Sequence, residues 1–316
     1  MTIMPDMLRA NAEAEIRRIA AYCQGEVGIA ARHLGTGAEL SVQGEARFPM
    51  ASTIKMTLVL TILDLARQGR LALTDMVSIR PEEMTPLGPL GGEFPHDGIA
   101  LSVLNLLEAT ITRSDNSATD VLFRVAGGTA AVQAHMHAIG LRDIEVKRTM
   151  REALCVMHEI PLPPSDVSMR DALRDLPPDQ HNARSRASDP NSDYGHPNRD
   201  HATPRAMLAL LARLWAGEGI EPAARDTILA MMARTSTGAT RIRARLPAGI
   251  AVAHKTGSGT GTANDLGFLT LPNERGTVAL VAYVKGSPLP VEARDAVLAD
   301  TARLVLDYFL LTSPAG

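Results

Sequence analysis

The chain has 316 residues, of which 45% are hydrophobic, so it can bury the core of one large domain or of two interleaved ones. A net charge of -3, an aromatic content of 3% and the lack of basic runs interleaved with aromatics argue against a nucleic-acid partner. Cys23 and Cys155 stand apart, without the spacing of metal ligands or of a disulfide framework. We therefore expect neither a metal nor another cofactor.

The N-terminal segment predicts an amphipathic helix and not a targeting signal. Apolar residues recur at helical spacing over 6–24, and charges at Asp6, Glu13 and Arg17 interrupt any signal-peptide core. No apolar run approaches the roughly 18 residues that a membrane span needs. We expect no membrane attachment and a cytoplasmic location as the sequence is written, or a periplasmic location if the true start lies upstream.

Two short alternating segments follow, VGIAARHL and AELSVQG, and the turn GTG between them predicts a β-hairpin. Helical periodicity then dominates from about 52 to 234. The predicted helices cover 53–69, 101–113, 116–126, 129–139, 203–216 and 222–234.

The C-terminal part returns to strands. The runs GIAVAHKT, TANDLGFLTL and GTVALVAYVK each predict a strand, and a helix over 290–311 closes the chain. Strands at both ends and helices between them predict an α/β domain into which an all-α domain is inserted. In residue numbers, 1–45 and 250–316 form a discontinuous α/β domain, and 46–249 form the mainly helical one.

Residues 151–199 differ from the rest of the helical region. They are rich in Pro, Asp, Ser and Arg, and apart from a short helix predicted near 168–175 they are typical of a long loop. Loops of this length in compact domains are usually functional or disordered.

Lys55 lies in the otherwise apolar run FPMASTIKMTLVLTIL and is one of only four lysines. A buried ammonium must find partners or give up its proton. Ser52 precedes it by three residues, so a helix that begins near Ser52 puts the hydroxyl and the amine on one face. The amine could then accept the hydroxyl proton, and the Ser52 N–H could donate to an oxyanion. Taken alone, this spacing is a weak signal and is more often explained by a capping serine and a lysine that reaches the surface.

Two further segments carry candidate residues. RSDNSATD places Ser114 and Asn116 at the junction of two predicted helices. AHKTGSGTGTANDLG places Lys255 at the end of a predicted strand. The residues after this lysine leave the strand backbone open to close approach by a ligand, since one of them is a glycine. They are Thr256, Gly257 and Ser258.

S-x-x-K, S-D-N and K-T-G, in this order, form the signature of class A β-lactamases and penicillin-binding proteins. The segments FPMASTIK, SDNSATDVLFRVAGG, HATPRAM and HKTGSGTGTANDLGFLTLP also resemble class A serine β-lactamases, and the resemblance runs from about 25 to 311 apart from 151–199. It implies an α/β plus all-α architecture, the serine β-lactamase/DD-peptidase-like fold, in which helices flank an antiparallel sheet and a helical domain is inserted.

The resemblance implies catalytic roles as well. Ser52 would be the acylated nucleophile and Lys55 its proton acceptor. Ser114 would pass a proton to the leaving nitrogen, and Asn116 would hold both the substrate amide and Lys55.

Substrate binding would fall mainly to the K-T-G segment. By the same resemblance, Lys255 and Thr256 would bind the substrate carboxylate, with Gly257 beside them. The N–H groups of Ser52 and Ser258 would form the oxyanion hole.

One position departs from the family pattern. Class A enzymes activate the deacylating water with a glutamate in an R-x-E-P-x-L-N type segment, and the counterpart here is KRTMREAL. Arg148 matches the arginine, but the glutamate position falls on Met150, whose thioether cannot act as a general base. Asp200 resembles the aspartate that pairs with this arginine.

Two accounts of deacylation stay open at this point. In the first, another carboxylate replaces the glutamate, with Glu152 nearest in sequence and Glu159 next. In the second, deacylation is inefficient, and the protein keeps its acyl group or passes it to a nucleophile other than water.

The sequence therefore predicts a monomeric serine hydrolase of the class A β-lactamase type that opens small-molecule β-lactam amides through a Ser52 acyl-enzyme. The first alternative is a cytoplasmic amidase, esterase or acyltransferase with a non-antibiotic substrate. The second is a binding module, a sensor of β-lactams or peptidoglycan fragments that stays acylated. Turnover separates the enzymes from the sensor.

Overall fold

The structure, a computed structural model, describes residues 3–86, 88–94, 96, 98–174 and 199–313. Its strands are β1 (Glu26–His33), β2 (Glu39–Val42), β3 (Phe48–Pro49), β4 (Met76–Ser78), β5 (Ala100–Ser102), β6 (His201–Ala202), β7 (Val252–Gly259), β8 (Thr262–Thr270) and β9 (Thr277–Lys285). Its α-helices are α1 (Ile3–Ala20), α2 (Lys55–Arg67), α3 (Pro89–Gly92), α4 (Val103–Thr112), α5 (Asn116–Val125), α6 (Thr129–Ala138), α7 (Met150–His158), α8 (Met169–Arg174), α9 (Pro204–Ala216), α10 (Pro222–Ala233) and α11 (Val291–Thr312).

A five-stranded antiparallel sheet joins the two ends of the chain in the order β2–β1–β9–β8–β7. The pairing of β1 with β9 runs from Glu26 opposite Lys285 to His33 opposite Val278. The predicted hairpin and the three predicted C-terminal strands are thus confirmed.

Helices cover both faces of this sheet, which explains why β8 and β9 are buried along nearly their whole length. Alternate residues of β9 point to opposite faces, as the pleat requires. Leu280 and its alternate neighbours pack in a core with α1 and α11, whereas Val281 and Tyr283 pack in a second core with α9.

Helix α2 lies at the centre of the helical region. Every residue from Lys55 to Leu63 is buried, with α4, α5 and α6 around the helix. The first residue of this helix, Lys55, is therefore held inside the protein. The helices predicted between 53 and 139 are confirmed, with ends that differ by one or two residues.

Helices α9 and α10 pack against the sheet. Helix α9 contacts β1 and β9, and α10 contacts β7. Both helices lie within 46–249, the range that the sequence assigned to the helical domain. The division of the chain into domains stays a prediction.

The predicted loop over 151–199 begins as a helix. Helix α7 starts at Met150, and a capping box joins Thr149 to Glu152 at its N-terminus. The prediction was wrong here because the loop-like composition comes from residues further along, although the T-x-x-E pattern was a usable signal. Helix α8 confirms the short helix near 168–175, and residues 175–198 lie outside the described part of the chain.

Within the described ranges, no helix combines the length and the apolarity that crossing a membrane requires.

Candidate active site

Ser52 lies in a 3₁₀ turn, Ala51–Ile54, that leads directly into α2. The preceding residue, Ala51, has a left-handed φ of 47°, which is unfavourable for an L-residue with a Cβ. The sequence predicted a helix from Ser52 that puts Ser52 and Lys55 on one face. The 3₁₀ turn has the same effect, because residues three apart share a face in a 3₁₀ helix as well.

Strand β7 passes close behind this turn at Gly257. A Cβ at that position would lie 2.7 Å from the Met50 carbonyl oxygen and 3.0 Å from the Ser52 nitrogen. The glycine is therefore needed for the approach of the protein's own backbone, and not, as the sequence suggested, only for that of a ligand. Asn264 of β8 holds the same turn, because its Nδ2 donates to the carbonyl oxygens of Pro49 at 2.6 Å and Met50 at 3.0 Å.

Lys55 is fully buried, and the three shortest hydrogen bonds of its Nζ go to oxygens of the S-D-N segment. These are the Ser114 carbonyl at 2.7 Å, Asn116 Oδ1 at 2.8 Å and Ser114 Oγ at 3.2 Å. Burial lowers the pKa of Lys55 to about 7, while the charges of Asp115 and Asp120 act in the opposite direction. The amine can therefore gain and lose a proton near neutral pH.

The Ser114 hydroxyl connects two lysines. Its Oγ lies 3.2 Å from Lys55 Nζ and 2.9 Å from Lys255 Nζ. Lys255 is fully buried too, and burial together with the positive charge of Lys55 holds its pKa well below the usual range. The Ser114 hydroxyl carries one proton. It can accept a hydrogen bond from either amine, but it can donate its own proton only to an amine that is uncharged. The Lys55–Ser114–Lys255 chain can thus move a proton.

A cavity of about 310 Å³ lies between β7 and the helical elements. Six of the residues predicted for the site line it, together with Met150. They are Ser52, Ser114, Asn116, Thr256, Gly257 and Ser258. The amines of Lys55 and Lys255 both lie within hydrogen-bond distance of the Ser114 hydroxyl, and Ser114 lines the cavity.

Arg241 is a cavity residue that the sequence analysis missed. Its Nη1 donates to the Gly257 carbonyl at 2.8 Å, its Nη2 donates to Ser258 Oγ at 2.6 Å, and Asp295 accepts from its Nε at 2.8 Å. Nothing in its local pattern distinguishes it from the many other arginines. The fold brings its charge to the end of β7.

Comparison with known proteins decides the family. The model of the β-lactamase enzyme family matches residues 11–309. The chain belongs to this family. β-Lactamase VEB-1 of Pseudomonas aeruginosa is 26% identical over 310 residues, which cover 95% of this chain and 91% of that protein. The solved structure of a β-lactamase from Chitinophaga pinensis matches with a TM-score of 0.76 and 29% identity, over 94% of this chain and 98% of that one. The extended-spectrum β-lactamase TLA-3 matches with a TM-score of 0.78 and 27% identity, over 95% and 99%.

These likenesses confirm the predicted fold class. The chain has the class A β-lactamase fold and is a β-lactamase-like hydrolase. Met150, which the sequence analysis predicts at the position of the family's glutamate, lines the cavity.

The carboxylates considered as substitutes in this β-lactamase-family site lie elsewhere. Glu152 Oε2 accepts from the Thr149 N–H at 2.8 Å, and Glu152 is absent from the described residues that line the cavity. Glu159 is exposed after the end of α7. The structure thus brings neither to Ser52.

Asp200 is the acidic residue among the described residues that line the cavity. Its Oδ2 pairs with Arg148 Nε at 2.5 Å, and its Oδ1 accepts from the N–H groups of Lys147 at 2.8 Å and Arg148 at 3.0 Å. The predicted pairing of Arg148 with Asp200 is confirmed. The same hydrogen bonds leave this carboxylate poorly placed to activate a water.

Proposed function

We propose that the protein is an active-site-serine hydrolase that opens β-lactam amides through an acyl-enzyme on Ser52. The observation that carries this proposal is the hydrogen-bonded chain from Lys55 through Ser114 to Lys255 behind a cavity that Ser52 lines. The family model matches residues 11–309, and β-lactamase VEB-1 is similar over 95% of the chain. Both similarities support a β-lactam as the substrate.

In the acylation step, Ser52 Oγ attacks the β-lactam carbonyl carbon while the free amine of Lys55 takes the hydroxyl proton. The carbonyl oxygen becomes an oxyanion, which accepts from the N–H groups of Ser52 and Ser258. The amide C–N bond then breaks, and Ser114 hands a proton to the leaving nitrogen. Lys55, which holds the proton taken from Ser52 and lies 3.2 Å from Ser114 Oγ, returns that proton to Ser114.

A substrate carboxylate would lie at the end of β7 that Thr256 and Arg241 line. Thr256 Oγ1 is 2.6 Å from Thr237 Oγ1, so two hydroxyls converge there. Lys255 Nζ donates to the Thr256 carbonyl at 2.8 Å and lies behind this rim. We propose that Arg241 and the two hydroxyls bind the carboxylate and that Lys255 supports this rim from behind through its bonds to the Thr256 carbonyl and the Ser114 hydroxyl.

A second candidate function has its own support. By the sequence resemblance, Met150 falls at the position of the family's deacylating glutamate, and Asp200, the acidic residue among the described residues that line the cavity, is paired with Arg148. Such a site favours acylation over hydrolysis. A sensor that stays acylated, or an acyltransferase that awaits an acceptor, is therefore the alternative to a β-lactamase with turnover.

Intact-protein mass spectrometry after mixing with a penicillin and with a chromogenic cephalosporin tests both proposals, with product followed in parallel. An adduct on Ser52 that decays while product accumulates supports the hydrolase, and one that persists supports the sensor or acyltransferase. Ser52→Ala should abolish the adduct, whereas Ser78→Ala, at an exposed serine of β4, should leave it unchanged. Adducts of equal yield in all three proteins would overturn the assignment of the nucleophile.

A further inference from the structure

One wall of the cavity is an apolar helix face. Four residues of α7 line the cavity at positions i, i+3, i+4 and i+7, the spacing of a single helix face. They are Met150, Ala153, Leu154 and Met157. This set, the α7 face, extends about 10 Å along the helix axis, given 1.5 Å per residue.

The charged residues of α7, Arg151 and Glu152, are not among the described residues that line the cavity. Arg151 donates to the carbonyl oxygens of Pro163 at 2.6 Å and Pro164 at 2.7 Å. Glu152 is engaged with the Thr149 N–H. Thioether and aliphatic groups form the α7 face, so it offers a ligand contact area and almost no hydrogen bonds.

The α7 face is held in position from two directions. Asp120 accepts from the first N–H groups of the helix, with Oδ1 2.6 Å from the Met150 nitrogen and Oδ2 2.8 Å from the Arg151 nitrogen. On the other side, Leu154 and Met157 share a buried cluster with Met169 and Leu173 of α8. The wall is therefore a packed element of the fold.

We propose, on the basis of the Ser52 chemistry above, that the α7 face binds the acyl half of the substrate and that this half is an extended apolar group. The carboxylate end would lie at Arg241 and Thr256, which leaves the α7 side of the cavity for the group on the carbonyl side of the scissile bond. A charged or strongly hydrated acyl substituent would lose water there without gaining partners. Of the polar residues on this side, Arg148 and Asp200 form a buried ion pair with each other.

A penicillin series with one nucleus and straight-chain acyl groups of increasing length tests this inference. The second-order acylation constant, measured by intact mass, should rise about threefold to fourfold for each added methylene until the α7 face is covered. A chain of equal length that ends in a carboxylate should react more slowly by at least a hundredfold, as about 3 kcal/mol of uncompensated desolvation implies.

Variants at Met157 locate the effect. Met157→Gln keeps the length of the side chain and its helix propensity, and should flatten the dependence on chain length. Met157→Leu keeps the apolar surface and should preserve it, and circular dichroism of both variants checks folding. If the series acylates Ser52 at one rate whatever the chain length, or if Met157→Gln keeps the full dependence, this inference is wrong while the proposed function stands. If no member of the series acylates Ser52, the proposed function fails.

Discussion

Burial of Lys55 sets the expected pH dependence of Ser52 acylation. Burial lowers the pKa of this amine to about 7. Only the free amine can accept the Ser52 proton, and the free amine forms as pH rises through the pKa. At pH 7 about half of the molecules would carry it, whereas a lysine with a pKa near 10.4 would be free in roughly one molecule in 2500. Acylation should therefore accelerate about tenfold per pH unit below 7 and level off above it.

Single-turnover acylation by a penicillin, followed by intact mass from about pH 5.5 to about pH 9, measures this profile. Asp120→Asn is the informative variant, because the Asp120 charge raises the pKa of Lys55 and its removal should move the inflection to lower pH. The same variant removes the titration of Asp120, whose own pKa burial raises to about 7. A rate that is constant over the whole range, or that rises only beyond about pH 9, would refute the assignment of Lys55 as the proton acceptor.

Three other substitutions test separate parts of the site. Met150→Glu places a carboxylate on the cavity wall and should raise steady-state turnover by about tenfold or more, and an unchanged turnover would show that the base is not what limits deacylation. Gly257→Ala would crowd the Met50 carbonyl and the Ser52 nitrogen. We expect the free energy of unfolding, measured with denaturant, to fall by about 1–3 kcal/mol and acylation to slow. Wild-type values of both would contradict the close packing of β7 on this turn. Arg241→Gln should raise the KM for carboxylate-bearing β-lactams by about tenfold or more and leave the KM for neutral esters nearly unchanged. An equal rise in KM for both substrates would contradict the proposed role of Arg241.

Much of the candidate site could be predicted because its signals are local. Ser52 and Lys55 are joined by a spacing of three in a helical turn, and the S-D-N segment lies at the start of α5 as predicted. The K-T-G segment lies inside β7, which continues to Gly259, so the prediction that Lys255 ends its strand was wrong. The segment VGIAARHL and the apolar runs of β8 and β9 likewise predicted the sheet, although β1 is buried along most of its length and does not alternate. Helix α7 was wrongly predicted as loop because the proline-rich residues that follow it dominate the composition of the segment. The T-x-x-E pattern at Thr149 marks the start of the helix.

The sequence by itself determined which residues have the chemistry for acyl transfer, since a hydroxyl, two amines and a glycine are properties of the chain. Only the tertiary structure decided how those groups behave. The pKa of Lys55 depends on burial, and the link between Lys55 and Lys255 depends on one hydroxyl from a distant segment. Arg241 enters the cavity, and Glu152 is held at a helix cap, through contacts that no local spacing encodes. Desolvation and charge proximity arise when distant segments pack together, so they became visible only in the folded chain.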